Sequence, residues 1–404
     1  MSNRPIVPKR RIGSAGLACA ALVVVLAVLS GCGGGPHTEL IVMPDASEAP
    51  ASDAGSFPYQ VERIYSLPTT ESELTQPIGW SDPDTVVALS ASLQTREQLI
   101  YGVHTLVPPY AAASEPLRLD DGLRPERLSP DGRYLAATDR DRGDGMAVRV
   151  VTLPDGETRT VAELAGSQVR MLGEAGAWSA NSRYLAYFLL RNVQGERSVS
   201  ILLCDVEDGT AAHYPVAGLD NVTSDMTVIP TNDAGAVLFV TESAVRMAVR
   251  DGSRYLVAFA PPVEGEGIER AMAEWVNDNQ FIYLDENGTL SAYDHRTGET
   301  VVLLEKIGRF RLSRDRKAIA YFASGRHAVY AARLQGNNLL YESTVYQGIL
   351  PTAMDWSPGG KRLLLQGGKR YPLSDRMMHP STASDTPIVA EGPEDRQQII
   401  VEFQ

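Results

Sequence analysis

A turn-then-strand pattern, repeated seven times, constrains this chain more than any other feature. Its fullest copy covers residues 128–136, where Ser-Pro-Asp-Gly precedes an arginine and an apolar run. Pro130 fixes φ for a tight turn, Asp131 can hydrogen-bond its own backbone, and Gly132 tolerates positive φ. The apolar run is typical of a buried strand, so each copy predicts a β-hairpin. The other copies begin at Trp80, Trp178, Thr231, Trp275, Ser313 and Trp356.

The spacing of the copies narrows the architecture. They recur at roughly 40 to 50 residues, which is the period of a propeller blade of four strands. A second alternating strand follows the first apolar one, as at residues 147–151, and most copies then have a glycine turn such as 154–156. The sequence therefore predicts an all-β fold, a single β-propeller of seven four-stranded blades, over residues 59–404.

The tryptophans support this repeat assignment. All four, Trp80, Trp178, Trp275 and Trp356, occupy the same position, directly before the turn. A large ring at that position fills the space between wedge-shaped blades. We therefore expect the four indoles to be core residues rather than a binding platform.

These copies resemble the TolB-type, WD-repeat-like propeller family, whose signature is an aromatic residue, Ser-Pro-Asp-Gly, a basic residue and an apolar strand. Residues 129–133 match it fully, the copy at Trp356 lacks the aspartate, and the copies at Thr231 and Ser313 keep little beyond the turn. The resemblance spans residues 60–404. It implies a propeller without the additional N-terminal α/β domain of TolB, and so does not imply the partners of TolB.

The N-terminal 31 residues predict export. Basic residues precede an apolar run at 17–29, which is too short and wrongly flanked for an ordinary transmembrane helix. The following Leu-Ser-Gly-Cys resembles a bacterial lipobox, which implies that residues 1–31 are a signal peptide, that cleavage falls between Gly31 and Cys32, and that Cys32 is acylated with diacylglycerol and palmitate. The alternatives are a plain secretory signal and an uncleaved anchor. The basic residues are Arg4, Lys9, Arg10 and Arg11.

Residues 32–58 predict a lipidated cysteine followed by a tether. They are rich in Gly, Pro, Ala, Ser and acidic residues, and 40–42 is their one apolar cluster, which favours a disordered segment. An extension packed against the domain is the alternative. Each buried CH₂ of a lipid chain contributes about 0.8 kcal/mol, so two or three chains hold a protein at a membrane. The predicted location is the cell envelope, exported and lipid-anchored in a membrane.

Charge and cysteine content limit the partners. The chain carries a formal net charge of −13, and removing residues 1–31 leaves 33 basic against 50 acidic residues, a net charge of −17. Such a charge argues against nucleic acid. Cys19 leaves with the signal and Cys32 is acylated, so Cys204 has no disulfide partner. We expect Cys204 to be a small buried residue rather than a nucleophile, and the protein to be a monomer.

Motifs for catalysis and metals are weak. The chain has no G-x-S-x-G elbow, phosphate loop or dinucleotide fingerprint, and its six histidines are scattered. Residues 139–145 resemble a calcium loop in the wrong register, because Val150 stands where a carboxylate is needed, so a solvated hairpin loop is favoured. We predict no catalytic residue, no metal and no cofactor. The alternative is a propeller enzyme, a lyase or hydrolase with an axial site.

A set of arginines is the predicted binding site. The loops between second and third strands of three successive blades carry them, and these loops are neighbours at one end of a propeller. Guanidinium groups match carboxylates and phosphates, so we predict a non-catalytic binding or scaffold module for a protein partner or an anionic cell-envelope polymer. The alternative is that adjacent acids neutralise ordinary solvated charges. The residues are Arg96, Arg140, Arg142, Arg191 and Arg197.

The lipid anchor gives a direct prediction. Replacing Cys32 by serine removes the acylated thiol but no part of the propeller, so Cys32→Ser should move the folded protein from the membrane fraction to the soluble fraction. Fractionation after a salt wash, with circular dichroism of the soluble material, measures this. A variant that stays in the washed membranes would contradict the lipoprotein assignment.

Overall fold

The structure is a computed structural model that describes residues 58–68, 76–93, 99–140, 145–164, 169–193, 196–219, 222–223, 225–261, 270–369 and 396–404. These ranges belong to one compact unit that runs from Ser56 to Gln404. They contain 28 β-strands and no helix, and hence no helix that is long and apolar enough to cross a membrane. The predicted signal peptide, Cys32 and nearly all of the tether lie outside the described residues.

The strands are numbered in their order along the chain. They are β1 (Val61–Ser66), β2 (Gln76–Trp80), β3 (Val86–Leu93), β4 (Leu99–Leu106), β5 (Leu117–Arg118), β6 (Leu123–Leu128), β7 (Tyr134–Arg140), β8 (Met146–Thr152), β9 (Thr158–Leu164), β10 (Val169–Trp178), β11 (Tyr184–Val193), β12 (Glu196–Asp205), β13 (Thr210–Ala217) and β14 (Thr227–Pro230). The second half comprises β15 (Ala236–Val240), β16 (Val245–Asp251), β17 (Arg254–Phe259), β18 (Met272–Asn277), β19 (Gln280–Leu284), β20 (Leu290–Asp294), β21 (Glu299–Leu304), β22 (Ile307–Leu312), β23 (Ala318–Ala323), β24 (Ala328–Gln335), β25 (Asn338–Gln347), β26 (Ile349–Trp356), β27 (Arg362–Lys369) and β28 (Arg396–Phe403).

The strands form five four-stranded sheets and one eight-stranded sheet. Four of the small sheets take consecutive strands, β2–β5, β6–β9, β18–β21 and β22–β25, and the fifth has the order β1-β28-β27-β26. The large sheet has the order β10-β11-β12-β13-β17-β16-β15-β14. Within each half of this sheet, β10–β13 and β14–β17, neighbouring strands are antiparallel. The halves meet where β13 runs parallel to β17, with Val216 opposite Tyr255 and Ala217 opposite Leu256. The prediction of an all-β fold is confirmed.

The sheets are arranged like the blades of a propeller. Contacts join the first strands of successive groups, β2 to β6, β6 to β10, β10 to β14, β18 to β22, β22 to β26, and β26 back to β2. A hydrogen bond from Trp275 Nε1 to the carbonyl of Ile229 joins β18 to β14. Apolar clusters fill the spaces between neighbouring sheets; one of them packs Phe322 and Val329 against Trp356 and Leu363. Burial of sheet faces against each other is therefore the main source of stability.

The two ends of the described chain close this arrangement. Strand β1 pairs with β28, with Val61 opposite Phe403 and Tyr65 opposite Ile400. The Tyr65 hydroxyl also donates to Glu402 at 2.8 Å. Residues 59–67 and 399–403 both have the sequence character of strands, and closure of a ring by both ends predicts that they lie in the same sheet. The pairing of β1 with β28 confirms this. A ring closed in this way leaves fewer open sheet edges.

The tryptophans lie between the sheets, as expected. All four are buried, with exposed fractions between 2% and 6%. Each indole N–H donates to a backbone carbonyl on the first strand of the preceding four-strand group, one residue before that strand ends. The bonds are Trp80 to Asp355 (3.3 Å), Trp178 to Arg127 (3.1 Å), Trp275 to Ile229 (2.9 Å) and Trp356 to Arg311 (3.1 Å).

Ring closure can be tested by truncation. Deleting residues 397–404 removes nearly all of β28, which pairs with both β27 and β1. We expect the deletion to abolish the cooperative thermal transition, because two strand ladders and their buried side chains are lost together. Removal of Gln404 alone is the control, since this exposed residue follows the strand. An unchanged transition in the longer deletion would contradict closure through β28.

Candidate binding cavity

The repeated turns between first and second strands are held by side-chain hydrogen bonds. Ser129 Oγ donates to Asp131 at 2.5 Å and accepts the backbone N–H of Tyr134 at 3.0 Å. Asp131 also accepts the backbone N–H of Arg133 at 3.1 Å, as its place in the pattern predicts. Burial raises the pKa of the Asp131 carboxyl, but hydrogen bonds from Ser129 and Arg133 outweigh it and leave the pKa below its usual value. Gly132 has a φ of 75°, so the turn needs its glycine.

Neighbouring turns are also bonded to each other. Ser182 Oγ accepts the backbone N–H of Asp131 at 2.9 Å. Two hydrogen bonds join Asn181 to Asn232, from its backbone N–H to Oδ1 at 2.8 Å and from its Nδ2 to the backbone carbonyl at 3.1 Å. The backbone N–H of Asn232 in turn donates to Asp278 at 2.8 Å. The turns therefore form a hydrogen-bonded rim at one end of the sheets.

A cavity of about 370 Å³ opens within this rim. Four turns contribute to it, those that follow β10, β14, β18 and β22. Its volume lies in the range of small-molecule sites. We call it the turn cavity, and its polar lining includes Asn181, Asn232, Asn277, Asp278, Arg314 and Arg316.

An ion-pair cluster lies beside the turn cavity on the first strands. Arg316 pairs with Glu274 at 2.8 Å, and Arg311 bridges Glu274 at 3.5 Å and Asp355 at 3.0 Å. The Glu274 carboxylate raises the pKa of Arg311. Burial raises the pKa of the Asp355 carboxyl, against the lowering effect of Arg311. Two guanidinium groups and two carboxylates thus offset each other's charge.

The turn cavity keeps an excess of unpaired donors. Asn277 Oδ1 accepts the backbone N–H groups of residues 279 and 280, and Asn232 Oδ1 accepts one from Asn181, so each side-chain oxygen is occupied. Within the described part of the chain, both Nδ2 groups lack an acceptor, and so does the exposed guanidinium of Arg314. The Nε of Arg316 is buried without a partner there. These groups suit an acceptor ligand.

The structure describes only part of the predicted arginine site. Arg96 and Arg142 lie outside the described residues, and only the backbones of Arg140 and Arg197 are described. Arg191 is exposed. Burial and the nearby Arg191 lower the pKa of His213.

Three of these arginines lie in strands rather than in the loops that were predicted to carry them. Arg140 ends β7, and Arg191 and Arg197 belong to β11 and β12. The reason is that the β11–β12 ladder continues to the pair Val193–Glu196, so it leaves little loop. This end of the sheets lies about 20 Å along the strands from the turn cavity. Binding at these arginines stays a prediction.

The structure also describes Cys204, part of the calcium-like segment and one of the scattered histidines. Cys204 is fully buried, which confirms the expected core position, and burial raises the pKa of its thiol to about 12. Within the calcium-like segment Asp139 pairs with Arg149 at 3.0 Å, while residues 141–144 lie outside the described ranges. The ring of His104 contacts Ser114 O at 2.9 Å and Ser90 Oγ at 2.8 Å. Among the described side chains no group of three or more could hold a metal ion.

The turn cavity was not among the predicted sites, although the sequence contains a signal for it. The copy at residues 129–133, which matches the signature fully, does not line it. The cavity instead falls on successive copies that depart from the signature and carry Asn181, Asn232, Asn277 and Arg314 in their turns. Departure alone does not mark the site, because the copies at Trp80 and Trp356 also depart and do not line it. The asparagines in three successive turns are the signal that could have found it.

Comparison with known proteins identifies the class. No protein-family model and no curated protein matches the sequence, so the TolB-type resemblance rests on the repeat signature alone. The structure is similar to oligogalacturonate lyase in complex with manganese (TM-score 0.52, 12% identity, 84% of this chain and 90% of that one) and to U3-55K (0.50, 12%, 84% and 98%). It also matches the acylaminoacyl peptidase of Pyrococcus horikoshii (0.49, 9%, 76% and 51%). The fold is that of β-propeller proteins, which include enzymes and non-enzymes.

The ion-pair cluster gives a stability prediction. Glu274→Gln removes the carboxylate that Arg316 and Arg311 share, where Glu274 is only 11% exposed. We expect the free energy of unfolding to fall by about 3 kcal/mol, because the mostly buried Arg316 loses its charged partner. The control is Glu242→Gln, whose pair with Arg270 is exposed and should cost less than about 1 kcal/mol. Urea denaturation measures the free energy of unfolding of both variants. An equal loss in Glu274→Gln and Glu242→Gln would show that the cluster has no special role in stability.

Proposed function

We propose that this protein is a lipid-anchored, seven-bladed propeller that binds a protein partner or an anionic cell-envelope polymer without transforming it. The lipobox-like segment that ends at Cys32 supports the anchor and the location in the envelope. The basic residues and the apolar run that precede this segment support export. The membrane is then one partner, and the ligand of the propeller is the other.

The strand order supports seven blades. The eight-stranded sheet is held together across its middle by two parallel residue pairs only, whereas each half is an antiparallel meander of four strands. In this proposal the halves β10–β13 and β14–β17 are separate blades whose outer strands touch. Seven groups of four strands then follow the seven copies of the sequence pattern.

The turn cavity is the observation that carries the binding function. Its rim is fixed by hydrogen bonds between turns, while Asn232, Asn277 and Arg314 keep donors free for a ligand. A preformed site of this kind loses little conformational entropy when it binds. Amide and guanidinium groups hold ligands by hydrogen bonds and charge, which suits recognition of an anionic partner.

A binding experiment on the full chain tests this function. Purified envelope glycans and solubilised envelope proteins are offered to the wild type, to the double variant Asn277→Ala with Arg314→Ala, and to Arg191→Ser, which alters the opposite end of the strands. We expect the double variant to lose binding several-fold at low salt and Arg191→Ser to change it little.

The outcomes separate the alternatives. Loss of binding only in Arg191→Ser would move the site to the predicted arginines. A chemical change of an offered glycan, detected by chromatography, would contradict a non-catalytic role and favour the propeller enzyme. Equal thermal transitions of the variants show that neither result comes from unfolding.

A further inference from the structure

The volume of the turn cavity limits what enters it. A space of about 370 Å³ lies near the lower end of the range for small-molecule sites. It suits one sugar ring or one side chain of a larger partner. If the cavity is the binding site of the proposed function, on which this inference rests, a partner must insert a single group.

The charges lining the turn cavity select an acceptor. Arg316 already shares its charge with Glu274 at 2.8 Å. Arg314 is exposed and, among the described residues, makes no ion pair with a carboxylate. The free amides of Asn232 and Asn277 add neutral donors. A planar carboxylate accepts two parallel hydrogen bonds from a guanidinium, which makes it a good match for Arg314.

The acidic groups nearby favour a carboxylate over a phosphate. Asp278 lines the turn cavity, and one of its oxygens accepts the backbone N–H of Asn232 at 2.8 Å. Its second oxygen lacks a partner within the described ranges. A phosphate monoester carries close to two negative charges at neutral pH and a carboxylate carries one, so the carboxylate meets less repulsion from Asp278. The second oxygen can instead accept a hydroxyl or N–H group of the ligand.

We infer that the turn cavity binds one carboxylate-bearing group, with the carboxylate on Arg314, amide hydrogen bonds from Asn232 and Asn277, and a ligand donor on Asp278. A sugar acid of an envelope polymer and an acidic side chain of a protein both supply this chemistry. The carboxylate is common to both sources, which differ in the rest of the ligand.

Small probes test the inference on the full chain with Cys32→Ser. Calorimetric titration compares glucuronate with methyl glucoside, and N-acetylaspartate with N-acetylasparagine. We expect binding of a charged member at low salt and at least tenfold weaker binding of its neutral counterpart. Arg314→Gln should weaken binding at least tenfold. Lys317→Gln, which removes an exposed cation of the same turn outside the cavity lining, should change it less than twofold.

The results discriminate between sources and between proposals. Binding of glucuronate alone points to a sugar acid, and binding of N-acetylaspartate alone points to an acidic protein segment. Equal binding of neutral and charged probes, tighter binding of inorganic phosphate, or equal effects of the Arg314 and Lys317 variants would overturn the inference. The double variant Asn277→Ala with Arg314→Ala separates this inference from the proposed function. If no carboxylate probe binds but the double variant still loses its partner, the inference fails and the proposed function stands. If carboxylates bind at Arg314 but the double variant still binds the partner, the proposed function fails.

Discussion

Indole N–H groups that donate across sheet boundaries fix the geometry on which the other features depend. The first strands meet near the axis, where a carbonyl facing the neighbouring sheet needs a donor if it is shielded from water. Trp178 provides it for Arg127, and Trp356 provides it for Arg311. The same ring fills the space between sheets and sets their separation, so packing and hydrogen bonding specify one position. The turns that follow these strands are thereby held at fixed places.

This fixed geometry allows the turns to acquire a second role. A turn that only joins strands is best served by Ser-Pro-Asp-Gly, because each residue satisfies a local requirement. In the turns around the turn cavity, Asn181 keeps the local bonds, because its Oδ1 accepts Ser179 Oγ and the backbone N–H of Arg183. Its backbone N–H and its Nδ2 additionally bond to Asn232. The bonds between turns therefore add to the local ones, on sheets that already hold the turns in place. Among the described residues, the Nδ2 groups of Asn232 and Asn277 are left without an acceptor.

The sequence predicted what depends on local pattern and missed what depends on distant contacts. The hairpins, the buried tryptophans and the terminal pairing of β1 with β28 follow from turn chemistry, apolar periodicity and the need to close a ring. The cavity needs Asn232 to meet Asp278, 46 positions away, and no local window contains that pair. Arg191 lies in a strand rather than in the predicted loop, because a strand ladder can extend through polar residues where pairing outweighs composition.

A single unpaired guanidinium decides the electrostatic character of the turn cavity. The chain as a whole is acidic, with a formal net charge of −13, so long-range attraction of anions is unfavourable and screened at physiological salt. Close to the cavity, Glu274 and Asp355 are offset by Arg311 and Arg316. Their neutral sum leaves Arg314 and Asp278 as the groups that a ligand meets. Selectivity then depends on short-range geometry, since an anion gains only when it contacts Arg314 directly.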